Sequence, residues 1–355
     1  MELPGSLGNL ENCHTIELTA CFEQALLYQL PNSFGGRWLC YTRPMTTGSA
    51  PGKVILFGEH AVVYGRPAIA VPVSQVAATA TVTPGAAGSG CLLDLSDIGE
   101  TVPVTGESTM QPLALVTRLT LETLELPTPD WRIVLHSTIP VSSGLGSGAA
   151  AATAIVRAVA AAAGRSMTPA QVSTLVYESE RLFHGTPSGI DNTVIAYEQP
   201  VWFVRSQPPE PFAIARPLTL VIGDTGIASP TSVTVGDVRR GWQADPRRYD
   251  SIFDGVARVV VAARDAVENG DNAALGRLMD ENHRLLQEMD VSSANLDRLC
   301  TAARGAGALG AKLSGGGRGG NMIALADSST ARHVAKKLQD AGARRTIVTT
   351  VAATA

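Results

Sequence analysis

The sequence predicts an α+β fold of two domains. Strand and helix patterns alternate from Lys53 onward, a proline-rich stretch at 208–217 interrupts them, and the block beyond it runs strand, three helices, strand, helix, strand. The chain's 355 residues suit one large or two medium domains, and 45% hydrophobic against 17% charged residues supplies a substantial core, which excludes a largely disordered protein. A net charge of −4 lacks the basic excess of a dedicated nucleic-acid binder. No apolar run reaches the roughly 18 residues of a spanning helix, so no membrane partner is expected. The N-terminus also lacks the basic start and apolar block of a secretory leader. Five scattered cysteines without a CxxC pair point to a reducing cytoplasm and no zinc site.

Residues 1–44 show no sustained period, hold Cys13, Cys21 and Cys40, and are punctuated by Pro31, Asn32, Ser33, Gly35 and Gly36. They read as an appendage or a misassigned start, since Met45 would begin the patterned region; an added helix over Glu17–Gln29 is the other reading. The first domain is expected over 45–212 and the second over 213–355. Lys53–Phe57 and Ala68–Val73 are apolar runs of strand length, and Val76–Pro84 alternates as a half-buried strand does. Leu113–Leu124 reads as a helix and Trp131–Ser137 as another alternating strand. Thr168-Pro169-Ala170-Gln171 is a capping box opening a helix that carries Val172, Leu175, Val176, Leu182 and Phe183 on one side and stops at Gly185. Val194–Tyr197 and Val201–Val204 follow as strands. In the second domain, Leu218–Ile222 is a strand, with helices at Tyr249–Glu268, Asn272–Met289 and Ala294–Ala306. A glycine loop and strand over Lys312–Leu325, a helix at Ser328–Ala341 and a strand at Thr346–Val351 complete it.

Four segments carry chemistry. Ser142-Ser143-Gly144-Leu145-Gly146-Ser147-Gly148 joins a strand to a helix in which ten of the fifteen residues from Ala149 to Ala163 are alanine. Glycines allow close backbone approach, and the helix start presents free N–H groups and partial positive charge, which together make an anion site suited to phosphate. Gly144-x-Gly146-x-x-Ala149 matches a dinucleotide fingerprint formally, but no acidic residue lies about 20 positions on to hold a ribose. No Gly-Lys-Ser/Thr follows a GxxxxG, so a P-loop fails as well. A second glycine loop follows Lys312-Leu313-Ser314, with five glycines among the six residues 315–320, interrupted by Arg318. Because Met322–Leu325 is apolar, this loop reads as packed against a backbone or a ligand rather than as a linker. The third segment is Pro51-Gly52-Lys53-Val54-Ile55-Leu56-Phe57-Gly58-Glu59-His60-Ala61-Val62-Val63-Tyr64-Gly65, an apolar strand with a cation on one side and Glu-His on the other. In the fourth, Glu180-Arg181-Leu182-Phe183-His184-Gly185-Thr186-Pro187-Ser188-Gly189-Ile190-Asp191, a turn delivers Asp191 to the entrance of the next predicted strand.

In this order and at this spacing the segments resemble the GHMP family of small-molecule kinases over roughly residues 48–351, most specifically in the Lys53 to Gly65 block and in His184-Gly185-x-Pro187-Ser188-Gly189-Ile190-Asp191. Within the family they are most similar to the members that phosphorylate mevalonate; galactose-specific members usually carry Asp after Glu-His, where Ala61 stands here. The resemblance implies a ribosomal-protein-like N-terminal domain, a ferredoxin-like C-terminal domain and a site in the cleft between them. It implies transfer of a phosphoryl group from ATP, with Mg²⁺, to the C5 hydroxyl of mevalonate. Family members are often homodimers, although no interface is legible in the sequence. Another small-molecule acceptor (phosphomevalonate, a sugar or homoserine) and a non-catalytic nucleotide or metabolite sensor are the competing readings.

Carried over position by position, the resemblance makes Asp191 the catalytic base and Lys53 the lysine beside it. Ser137, Ser142, Ser143, Gly144, Leu145, Gly146, Ser147 and Gly148 hold ATP. Glu180 is the Mg²⁺ carboxylate, and Glu59, His60, Ser188 and Thr231 line the acceptor pocket. Many members place serine where Gly148 stands, so the hydroxyl toward the metal is assigned to Ser147. For Arg318 two readings stand: contact with a phosphate, or exposure to solvent.

Overall fold

A computed structural model of the chain describes residues 26–29, 38–41, 45–105, 111–140, 144–184, 187–228 and 231–353. The chain divides into two units, Met1–Met45 and Thr46–Ala355. In the first, β1 (Leu26–Gln29) pairs antiparallel with β2 (Trp38–Tyr41). The remainder of the expected appendage lies outside the described residues, as does most of the alternative helix, whose last four residues form β1.

The second unit contains two sheets. β3 (Thr46–Phe57), β4 (Ala68–Pro84), β5 (Leu92–Leu95) and β6 (Glu100–Pro103) are followed by α1 (Pro112–Thr123), β7 (Trp131–Ser137), α2 (Ser147–Ala162), α3 (Pro169–His184), α4 (Ile190–Tyr197), β8 (Val201–Phe203) and β9 (Glu210–Pro211). The strands form a seven-stranded sheet of order β6-β5-β7-β4-β8-β9, with β3 also pairing with β4. Among the described pairings only β5 with β7 is parallel. β10 (Leu218–Asp224), α5 (Thr231–Ala244), α6 (Pro246–Asn269), α7 (Asn272–Glu288), α8 (Ala294–Gly305), β11 (Gly310–Ser314), β12 (Asn321–Ala326), α9 (Ala331–Asp340) and β13 (Arg345–Val351) build the other half. Its sheet is antiparallel, in the order β11-β12-β10-β13.

Small side chains set how closely these layers approach. α2 lies directly on β3: a Cβ at Gly48 would fall 2.4 Å from the Ala158 backbone nitrogen and 2.5 Å from the Ala154 carbonyl oxygen. Only glycine opposite an alanine-rich helix face permits that contact, and the buried alanines of α2 let the helix lie close on the strand. The capping box forms as the sequence predicts. The Thr168 N–H donates to Gln171 Oε1 at 2.8 Å and the Gln171 N–H donates to Thr168 Oγ1 at 3.3 Å, fixing the start of α3.

Several elements differ from expectation. Val194–Tyr197 is the end of α4 and not a strand. A four-residue buried apolar run carries no period that separates the two states. The helix is started instead by Gly189 in the left-handed region and by the Ser188 hydroxyl, which accepts from the Ile190 N–H at 3.4 Å. α5 was not expected, because only Thr234 and Val238 on it are buried and no apolar stripe marks it. The two runs at Ala68–Val73 and Val76–Pro84 are one 17-residue strand. β5 and β6 escaped notice because each is four residues long.

The two sheet-bearing halves are cross-linked near the end of β3. The Ser314 hydroxyl donates to the Ile55 carbonyl at 2.9 Å, and on the outside Arg66 reaches Asp254 on α6 at 2.9 Å. No helix among the described residues is long and apolar enough to cross a membrane.

Candidate active site

Lys53 sits in the second half of β3, opposite Pro72 of β4, with its side chain almost wholly buried. Its backbone N–H donates to the Leu145 carbonyl at 3.0 Å, so the strand that carries the ammonium also anchors the first glycine loop. Gly146 then caps α2 with φ of 75°. A Cβ there would meet Ile195 Cδ1 at 2.9 Å and Lys53 Cγ at 3.0 Å, so the loop rests on the stem of the lysine and glycine is required on both steric and conformational grounds. Ser147 and Gly148 are the first residues of α2, where unpaired N–H groups and the helix dipole favour an anion.

Two carboxylates meet this point from neighbouring helices. Asp191 stands in the first turn of α4, not at the mouth of a strand, and its Oδ1 lies 2.8 Å from Lys53 Nζ. The lysine side chain is 4% exposed and the aspartate 30%, so the carboxylate is the member of the pair that reaches solvent. Glu180 comes from the last part of α3, and a Cβ on Gly148 would lie 3.2 Å from its Oε1. Burial, and then the negative charge of Asp191, push the Glu180 carboxyl up to about 7, with Lys53 opposing. The α3–α4 spacing is locked below the site, where Asn192 Nδ2 donates to the Ser173 hydroxyl at 2.9 Å and to its carbonyl at 3.1 Å.

These residues also fit a magnesium ion. Gly148 leaves space beside a buried carboxylate, a second carboxylate is close enough to raise its pKa, and Ser147 sits at the same helix start; all are hard oxygen donors. Among the described residues no group of three or more His, Cys, Asp or Glu side chains gathers. A magnesium ion held through one or two carboxylates and substrate phosphates needs no such group.

On the far side of Lys53 the β3 strand ends in the turn Gly58-Glu59-His60. Gly58 has φ of 98° and no room for a Cβ, which would come within 2.5 Å of Ala68 Cα. His60 also takes a positive φ, 61°. Its Nε2–H donates to the Gly316 carbonyl at 3.0 Å, while its Nδ1 is enclosed without a hydrogen-bond partner among the described residues; burial holds the imidazole down at about 4, so it is neutral. Glu59 pairs with Lys312 of β11. Thr231 begins α5 beside the same loop, since a Cβ on Gly316 would lie 2.9 Å from its hydroxyl oxygen.

The structure therefore brings Lys53, Leu145, Gly146, Gly148, Glu180 and Asp191 together. Ser147 lies at the same helix start, and Gly144 one residue before Leu145. Ser188 serves the backbone of α4. Ser137 is turned into its own strand end: its N–H donates to Asp97 at 2.7 Å and its hydroxyl accepts from the Ile139 N–H at 3.2 Å. Ser142 and Ser143 lie outside the described residues. Glu59 and His60 are 1% and 5% exposed, held between the end of β3 and the second glycine loop. The Arg318 side chain is 34% exposed, so part of it does reach solvent. Gly317 presses on Val291, and Arg318, at φ of 59°, ion-pairs with Asp237 of α5 and donates to the Asp290 carbonyl at 3.1 and 3.2 Å. Lys312 was missed as a functional candidate. Its signal was a single cation inside the otherwise apolar strand just before the second glycine loop.

Comparison with known proteins shows the family. Residues 114–199 match the family described as GHMP kinases N terminal domain, and residues 263–344 match GHMP kinases C terminal. The chain is 34% identical to the mevalonate kinase of Pyrococcus furiosus over 318 residues, covering 83% of this chain and 92% of the relative. To the mevalonate kinase of Thermococcus gammatolerans it is 36% identical over 302 residues, covering 78% and 88%. It superposes on the crystal structure of L. major mevalonate kinase in complex with R-mevalonate with a TM-score of 0.76 and 31% identity, covering 88% of this chain and 97% of that one. Galactokinase from Lactococcus lactis, at 17% identity and a TM-score of 0.73, shares the fold.

Proposed function

The chain belongs to the GHMP kinase family, alongside its mevalonate kinases, and from that premise we infer that it transfers the γ-phosphoryl group of ATP to the C5 hydroxyl of mevalonate, giving 5-phosphomevalonate and ADP. The observation that carries the reading is the Lys53–Asp191 pair at 2.8 Å, resting against the glycine that caps α2.

Each part has a physical task. The N–H groups at the start of α2, with Gly144–Gly148 folded over β3, bind the polyphosphate and aim its terminal phosphorus at the cleft. The exposed part of the Asp191 carboxylate accepts a hydrogen bond from the acceptor hydroxyl and takes its proton as the new P–O bond forms. In a loose phosphoryl-transfer transition state this proton moves late, so a carboxylate is a sufficient base. Lys53, held beneath Asp191, stabilises the oxyanion that develops on the hydroxyl oxygen. Glu180 and Ser147 would hold Mg²⁺, which when bound neutralises phosphate charge. Thr231, which lies against the second glycine loop, would line the acceptor side.

Coupled ADP release, assayed with mevalonate, phosphomevalonate, galactose and homoserine, tests the reading. Mevalonate is expected to support turnover, and Asp191→Asn and Lys53→Met each to lower kcat by about a hundredfold or more. Preference for another acceptor would move the assignment elsewhere in the family. Wild-type rates in both variants would remove the roles given to these residues, and no ADP release with any acceptor would favour the sensor.

A further inference from the structure

The most deeply buried charge pair described in the protein lies outside the reacting groups. Lys312 is 0% exposed and Glu59 1%, and they come from opposite halves of the fold, β11 and the turn after β3. Lys312 Nζ also donates to the Leu313 carbonyl at 2.7 Å. Taking two ions out of water costs several kcal/mol each unless the partner and further hydrogen bonds compensate. Burial accordingly pushes the Glu59 carboxyl up and the Lys312 ammonium down, each opposed by the attraction of the other. An apolar pair would fill this space at lower cost, so the charges point to a task besides packing.

Two observations locate that task. The Glu59 carboxylate also lies within the field of Lys53, and its Oε2 is enclosed without a hydrogen-bond partner among the described residues. The pair further sits between two other cross-links, Ser314 to the Ile55 carbonyl and His60 to the Gly316 carbonyl, which sew the turn to the second glycine loop. We propose that Lys312 is a positioning residue: by neutralising Glu59, in a turn already held to the second glycine loop by the other two cross-links, it leaves the Lys53 ammonium to Asp191. The proposal rests on the kinase reading above. Without Lys312, Glu59 is a buried carboxylate with Lys53 as its remaining near cation. Lys53 is then drawn off Asp191, and the chemical step slows while nucleotide binding at α2 persists.

The test uses the full chain and whichever acceptor the wild type turns over, so absence of wild-type turnover with mevalonate bears on the function and not on this pair. Lys312→Met is expected to lower kcat by about tenfold or more with KM for Mg·ATP changed less than about twofold. Glu59→Gln combined with Lys312→Met removes both charges and is expected to recover most of that loss. In the Glu59→Gln background, adding Lys312→Met is expected to change kcat by less than about twofold, a comparison that holds even where Lys312→Met alone fails to fold. Undiminished kcat in folded Lys312→Met, a double variant no better than Lys312→Met, or a full tenfold loss on adding Lys312→Met to Glu59→Gln would each overturn the proposal.

Discussion

Replacing Glu180 with glutamine should stabilise the ligand-free protein while disabling it. In the folded chain the carboxyl is held up at about 7, against an ordinary 4.5, first by burial and then by Asp191. Between those two values the folded state keeps a proton that the unfolded chain has released, so stability falls as pH rises through this window and levels off above it. At about 1.4 kcal/mol per pH unit, the loss between roughly pH 5 and pH 8 is on the order of 2 to 3 kcal/mol. Glutamine keeps the shape and does not titrate. Urea unfolding of wild type and Glu180→Gln across that range, without nucleotide or metal, should therefore show the variant's advantage growing with pH by this amount. The same variant should lose Mg²⁺-dependent turnover. A stability difference that stays flat with pH, or shrinks as pH rises, would refute the burial and the electrostatics assigned to Glu180.

Gly146→Ala sets a Cβ against Ile195 and Lys53 at a backbone angle that disfavours it, so kcat should fall about a hundredfold in steady-state assays and KM for ATP should rise. Gly48→Ala drives a methyl into the backbone of α2, and a loss of about 3 kcal/mol in denaturant unfolding is expected. Arg318→Ala releases Asp237 and with it α5, which carries Thr231; KM for the acceptor should rise about threefold or more while KM for ATP holds.

Much of this protein is legible in short stretches of chain. Glycines followed by an alanine helix, a capping box ahead of α3, and a lysine inside an apolar strand each express local rules of backbone freedom, capping and burial. Together they pointed to Gly144–Gly148 as an anion site, while Lys53, Glu180 and Asp191 were singled out by the resemblance to the GHMP kinases. Tertiary structure decided what those rules leave open. Val194–Tyr197 became helix because Gly189 and Ser188 start one and the fold buries it; the apolar run alone fits either state. The helix α5, with only Thr234 and Val238 buried, is placed by α6 and by the Arg318–Asp237 pair rather than by a period of its own. Glu59 and Lys312 are 253 residues apart, and no local pattern states that one neutralises the other. Local sequence fixes which conformations are cheap and which groups can ionise or donate. Which charge stands beside which depends on distant segments packing together, and only there does Glu59 meet Lys312 and Arg318 meet Asp237.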